Sequence, residues 1–184
     1  MKKLLVILVG CATVCALKAN AQGTFNFGNA LSGAVAPIHD IDGTTGLSGA
    51  AFAVDYFWGP SGIGASDVNN AGLQSGGQAV AFSNNGFFSG GTQAIQGQTG
   101  TVSLQYRAWR VSDGATFALA NKPGGHVGES QVIQVTLAFG SPQPAPATPT
   151  GMQSFSLVAN PVPEPSTIAM GLMGLGGLLI RRRK

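Results

Sequence analysis

The 184-residue chain has room for one ordinary domain plus targeting segments. Its 28 glycines, 10 prolines and 9% charged residues leave few strong helix formers and many turn formers, which favours β structure. The net charge of +3 resides at the two ends: residues 22–162 carry three cations, Arg107, Arg110 and Lys122, against six carboxylates, a balance of −3 that excludes a basic nucleic-acid surface.

The chain begins MKKLLVILVGCATVCALKANAQG. Two lysines, an apolar stretch from Leu4 to Leu17 and the small-x-small sequence Ala19-Asn20-Ala21 predict a secretory signal helix, residues 1–21, removed by signal peptidase before Gln22. The stretch Leu8–Cys11 has the look of a lipoprotein cleavage box. Cutting there would leave only about seven apolar residues for export and more apolar sequence after the cut, which disfavours that alternative. Both cysteines, Cys11 and Cys15, fall in the removed segment, so the mature chain is expected to have no disulfide, thiol nucleophile or thiolate metal site.

Residues 22–160 are expected to form one all-β domain, an antiparallel β-sandwich of jelly-roll or Ig-like type. AAFAVDYFW places Phe52, Val54, Tyr56 and Trp58 on one face. TVSLQYRAW does the same with Val102, Leu104, Tyr106 and Ala108, and QVIQVTLAF with Ile133, Val135, Leu137 and Phe139, all at the two-residue period of a half-buried strand. TFNF (24–27) and SFSLV (154–158) read as first and last strands. Asp42-Gly43, Asn85-Gly86 and Asp113-Gly114 are suited to tight turns with positive φ. SPQPAPATPT (141–150) is expected to be an extended loop before the last strand, with residues 159–165 as the tether to the C-terminal apolar segment.

Few residues in this domain carry the chemistry of a site. His39-Asp40-Ile41-Asp42-Gly43 resembles half of a calcium loop, but no further acidic or amide ligand succeeds it at the required spacing. Asp40 and Asp42 are therefore weak metal candidates, and an acidic turn is the plainer reading. His126 is placed in a loop where Glu129 is its candidate partner. No nucleophile elbow, P-loop or HExxH motif occurs, so no catalytic residue and no cofactor is expected. Trp109 and Phe57 lie opposite their strands' apolar rows and are candidate glycan contacts if that face is open.

The chain ends VPEPSTIAMGLMGLGGLLIRRRK. An apolar run from Ile168 to Ile180 would make a helix only about 20 Å long, short of the roughly 30 Å hydrocarbon core. The cations Arg181, Arg182, Arg183 and Lys184 come immediately after it, and clustered cations stay cytoplasmic and snorkel to relieve mismatch. Four glycines in the run suit lipid better than a packed soluble helix. A transmembrane helix over about 167–180 is expected.

The order Pro163-Glu164-Pro165, apolar helix, Arg-rich end resembles the PEP-CTERM sorting signal of Gram-negative bacteria, over residues 161–184. The resemblance implies processing by exosortase, a membrane protease, with Pro163, Glu164 and Pro165 as its recognition element and the helix as a transient inner-membrane anchor. It also implies release to the cell surface or an exopolysaccharide (biofilm) matrix. GLSGAAFAVDYFWGPSG (46–62) and the Gly-rich body resemble passenger domains of Verrucomicrobia-type PEP-CTERM proteins, which have no assigned activity. The expected function is thus a non-enzymatic structural role at the surface or in the matrix. The alternative is a carbohydrate-binding module acting on exopolysaccharide.

Overall fold

A computed structural model describes residues 22–31, 34–64 and 72–162. The expected signal helix with Ala19 and Ala21, the motif Pro163-Glu164-Pro165, the helix at 167–180 and the cations Arg181 to Lys184 lie outside the described residues. Among the described residues no helix is long and apolar enough to cross a membrane.

In chain order the elements are β1 (Gln22–Gly28), β2 (Ala30–Leu31), β3 (Ala34–Val35), β4 (Ile38–His39), β5 (Gly49–Pro60), β6 (Gln74–Ser75) and β7 (Val80–Phe82). Then come β8 (Ser89–Gln96), β9 (Thr101–Arg110), a one-turn helix α1 (Phe117–Ala120), β10 (His126–Glu129), β11 (Ile133–Thr136), β12 (Phe155–Ser156) and β13 (Val158–Ala159). The described chain is mostly β.

β5 and β9, the two long strands, pair antiparallel with Tyr56 opposite Tyr106 and Asp55 opposite Arg107. Around them grows a seven-stranded sheet in the order β13-β10-β9-β5-β6, with β11 also on β9 and β7 also on β5. β1 and β8 form a separate antiparallel ribbon. Between the described strands the pairing is antiparallel except for the short parallel pair β4–β12.

The sheet's two-residue alternation builds two separate apolar layers. Val54, Tyr56, Val102, Leu104, Tyr106 and Ala108 face the β1–β8 ribbon and are buried with its Phe25, Phe27 and Ile95. The rings lock edge to face: Phe25 and Phe27 stand 5.0 and 5.2 Å from Tyr56, and Phe27 stands 5.3 Å from Tyr106. Gly76 is required here, because a Cβ on it would lie 2.0 Å from the Tyr56 ring. On the opposite face a smaller cluster forms from Trp109, Val127, Phe117 and Ala120, with Ala53 and Phe57 packed against it.

Asn85 and Gly86 adopt φ of 49° and 82°, as the expected Asn-Gly turn demands. The buried Asn29 ties that turn in, donating from Nδ2 to the carbonyls of Ala36 (2.8 Å) and Gly86 (2.7 Å) while Oδ1 accepts from the Phe88 amide (2.9 Å).

Three local expectations are corrected. Phe139 does not join the Ile133, Val135, Leu137 row: β11 ends at Thr136, the chain turns at Gly140 with φ of 155°, and Phe139 is 55% exposed. Asp113-Gly114 lies at a tight turn, but neither residue has positive φ. Their amides bond back to Arg110 and Val111, and the chain continues into α1, capped by the Thr116 hydroxyl. The last strand splits into β12 and β13, which pair with different neighbours, β4 and β10. The proline-rich stretch 141–150 runs between β11 and β12, where Ala147 bridges to Phe25.

Candidate functional site

The second face of the sheet carries the chemistry. Because β5 and β9 bury their even-numbered rows, the alternation projects Asp55 and Phe57 from β5 and Gln105, Arg107 and Trp109 from β9 to the other side. β10 adds Val127 and Glu129, in register with Trp109 and Arg107. α1 then covers part of this face with Phe117, edge-on to Phe57 (5.8 Å) and to Trp109 (6.3 Å).

Arg107 holds the middle of this surface. Its guanidinium lies 4.2 Å from the Phe57 centroid and 5.2 Å from that of Phe117. Nε donates to Gln105 Oε1 at 2.8 Å, and Glu129 stands 3.6 Å away. Burial lowers the Arg107 pKa, with the Glu129 charge opposing that shift. Gln105 in turn donates to the Ser130 carbonyl at 2.9 Å, which anchors the network to the backbone.

Beside Arg107 opens a pocket of about 350 Å³. Phe57, Trp109 and Phe117 form its aromatic wall, and Asp55, Ser75 and Thr116 supply its polar groups. Asp55 is only 4% exposed. Its Oδ1 accepts from the amides of Tyr56 (2.8 Å) and Gln78 (3.2 Å), and Oδ2 accepts from the Ser75 hydroxyl (2.5 Å). The carboxylate therefore pins β6 and the segment after it onto β5.

Trp109 and Phe57, the expected glycan contacts, do come together here, but not as an exposed platform. Trp109 is 1% exposed, Phe57 is half-buried, and α1 covers the face that was expected to be open if these residues bind a surface ligand. The Trp109 Nε1–H is buried with no acceptor among the described residues. Asp55, Ser75, Thr116 and Phe117 were missed in the sequence. The available signal was a carboxylate in the middle of an apolar strand, AAFAVDYFW, on the same alternation as Phe57.

The other candidates serve the scaffold. Asp40 receives both hydrogen bonds of Arg110 Nη2, each 3.2 Å. Asp42 closes its own turn, accepting from the amides of Thr44 and Thr45 and from the Thr45 hydroxyl, and these bonds lower its pKa to about 2. His39 lends its backbone carbonyl to Leu157. Among the described residues no group of three or more His, Cys, Asp or Glu is placed to hold a metal ion. His126 pairs with Asp113, Nδ1 to Oδ2 at 2.7 Å, and not with Glu129. The reason is the strand itself: His126 and Glu129 are three apart on β10 and project to opposite faces, and register sets Glu129 against Arg107. The imidazole contact lowers the Asp113 pKa.

Comparison with known families identifies a PEP-CTERM protein-sorting motif at residues 161–184. It begins directly after the backbone contacts that close the domain, where the Gly124 amide donates to the Asn160 carbonyl and the Asn160 amide to that of Gly125. Neither the curated proteins nor the solved structures include a match to the chain.

Proposed function

We propose that the chain is an exported surface or extracellular-matrix protein of a Gram-negative bacterium whose domain 22–160 acts by presence and binding, without turnover. One observation carries the reading, the sorting motif at 161–184, which implies export, sorting to the cell surface and exosortase as processing partner. On this reading signal peptidase removes residues 1–21, and the apolar run at 167–180 holds the chain transiently in the inner membrane. Arg181, Arg182, Arg183 and Lys184 stay cytoplasmic, and cleavage occurs near Pro163-Glu164-Pro165. The two stacked β layers support a sandwich, and the Verrucomicrobia-type passenger likeness points the same way.

A role without turnover is supported by the way the acids are already engaged. Asp40, Asp42 and Asp113 are each engaged with a neighbouring scaffold group, and Asp55 takes three protein donors. The His126–Asp113 pair has the geometry of a base and its orienter, yet the hydroxyl of Ser112 bonds the carboxylate and not the imidazole. The decisive experiment replaces Pro163-Glu164-Pro165 with three alanines and fractionates the cells. Full-length protein retained in the inner membrane is the expected result, and surface delivery at the original efficiency would end the sorting reading.

A second reading, a carbohydrate-binding module for exopolysaccharide, is favoured by the aromatic pocket beside Phe57 and Trp109. A glycan screen on the secreted chain separates the two readings, because a purely structural protein gives no saturable binding.

A further inference from the structure

We propose that the pocket between α1 and the β5–β9 face holds a single neutral pyranose residue of a glycan, an inference that rests on the carbohydrate-binding reading above. At about 350 Å³ the pocket sits at the small end of ligand sites, which run from about 300 to 1,000 Å³. That suits one sugar ring better than an extended oligosaccharide. The space exists because Gly77, Ala79, Ala115 and Ala118 line it where larger side chains would fill it.

The polar inventory selects the ligand. A carboxylate has about four acceptor sites. Among the described residues Asp55 uses three of them, on Tyr56, Gln78 and Ser75, which leaves one on Oδ2. Ser75 Oγ donates to Asp55 and accepts from the Gly77 amide at 2.9 Å, so it too retains an acceptor site. Thr116 Oγ1 accepts from the Leu119 amide and keeps its own O–H to donate. Two neighbouring acceptors and one donor match the mixed donor and acceptor character of sugar hydroxyls. An apolar C–H face of the ring would meet Phe57, the half-buried member of the aromatic wall, with the buried Trp109 and Phe117 packed behind it.

The same groups reject the competitors. A uronate, phosphate or sulfate would face the Asp55 carboxylate with few donors to satisfy it, in a domain whose charge balance is already −3. A quaternary ammonium head has neither donor nor acceptor, so it would leave the Thr116 hydroxyl and the remaining acceptor site of Ser75 unpaired. A purely apolar chain would leave the remaining sites of Asp55, Ser75 and Thr116 unpaired.

The test uses the secreted chain and amide chemical shifts, with glucose, galactose, mannose and N-acetylglucosamine as probes and glucuronate and choline as contrasts. The expected result is saturable shifts around Phe57, Trp109 and Phe117 with at least one neutral sugar and none with the contrasts. Ala118→Phe, at an exposed position on α1, should weaken that binding at least roughly tenfold by filling the mouth. Ser75→Ala should weaken it several-fold by removing one acceptor. Saturable shifts with glucuronate or choline at these residues would overturn the proposal. So would glycan binding that Ala118→Phe and Ser75→Ala both leave unchanged, although the carbohydrate reading would then survive. If no sugar and no polysaccharide binds, both fall together.

Discussion

The guanidinium of Arg107 lies 4.2 Å over the ring of Phe57, across the β5–β9 pair, so a half-buried cation is held by an aromatic face as well as by Gln105 and Glu129. Its side chain is 12% exposed and its closest acid, Glu129, stands at 3.6 Å. The contact joins the outer apolar layer of the molecule to its polar network, because Arg107 also donates to Gln105 and meets Phe117 from α1.

Arg107→Lys is expected to cost about 1–2 kcal/mol of stability, since the ammonium keeps the charge but loses the planar stack and the Nε bond to Gln105. Urea unfolding measures it. Phe57→Leu should cost a similar amount. The double variant should fall short of the sum of the two, which is the mark of a shared contact; full additivity would show that the ring and the guanidinium do not interact.

Asn29 is fully buried and bonds three separate segments, at Ala36, Gly86 and Phe88. Asn29→Ala strands one donor and two acceptors in the core, at about 1–3 kcal/mol for each unsatisfied group after partial relaxation. A loss of roughly 3 kcal/mol or more is expected, read by denaturant titration. Hydrogen exchange at the Phe88 amide should quicken at the same time. Asn29→Asp should be at least as damaging, because a carboxylate would then face two carbonyls.

The pH response comes from Asp42 and Asp113, whose carboxyl pKa values are both lowered in the fold. A depressed carboxyl pKa contributes stability that is present above the unfolded value and lost as pH falls through the folded one. For Asp42 that window runs from 3.8 down to about 2. The Thr44 and Thr45 amide shifts should therefore titrate with a midpoint near 2, and Asp42→Asn should abolish that step. Asp113→Asn should remove the acid-range step that the Asp113 carboxyl, its pKa lowered by hydrogen bonds from His126, gives to the His126 amide shift in an NMR pH series. A Thr45 amide midpoint near 3.8 would mean that the turn bonds do not form in solution.

The long strands were legible in the sequence because period-two alternation survives in isolation: the even rows of β5 and β9 are the ones that pack toward the β1–β8 ribbon. Trp109 and Phe57 were also placed on the correct face. What covers that face was not legible. α1 is a single turn, too short for a helical period to show, and its Thr116 cap lies in a stretch that reads as loop. The acceptors of the pocket depend on Asp55 meeting Ser75 and Gln78, 20 and 23 residues away, which no local pattern encodes. Strand parity, by contrast, was available and would have separated His126 from Glu129 once β10 was recognised.

Trp109 gives the sharpest contrast between the surface and buried readings. An exposed stacking residue can be changed to alanine with the fold intact, whereas Trp109 is 1% exposed and packs with Phe117, Val127 and Ala120. Trp109→Ala should therefore cost about 3–5 kcal/mol, as large-to-small changes in a core do. Trp109→Phe should cost distinctly less. It keeps a ring against Phe117 and removes an Nε1–H that has no acceptor among the described residues, so the lost volume is partly offset by the lost desolvation penalty. Denaturant unfolding of the three proteins orders them, and the expected order is wild type, then Phe, then Ala, with unchanged m-values. If Trp109→Ala melted with the wild type, the indole would have to lie in solvent, and the outer face of the sheet would be an open platform and not a covered pocket.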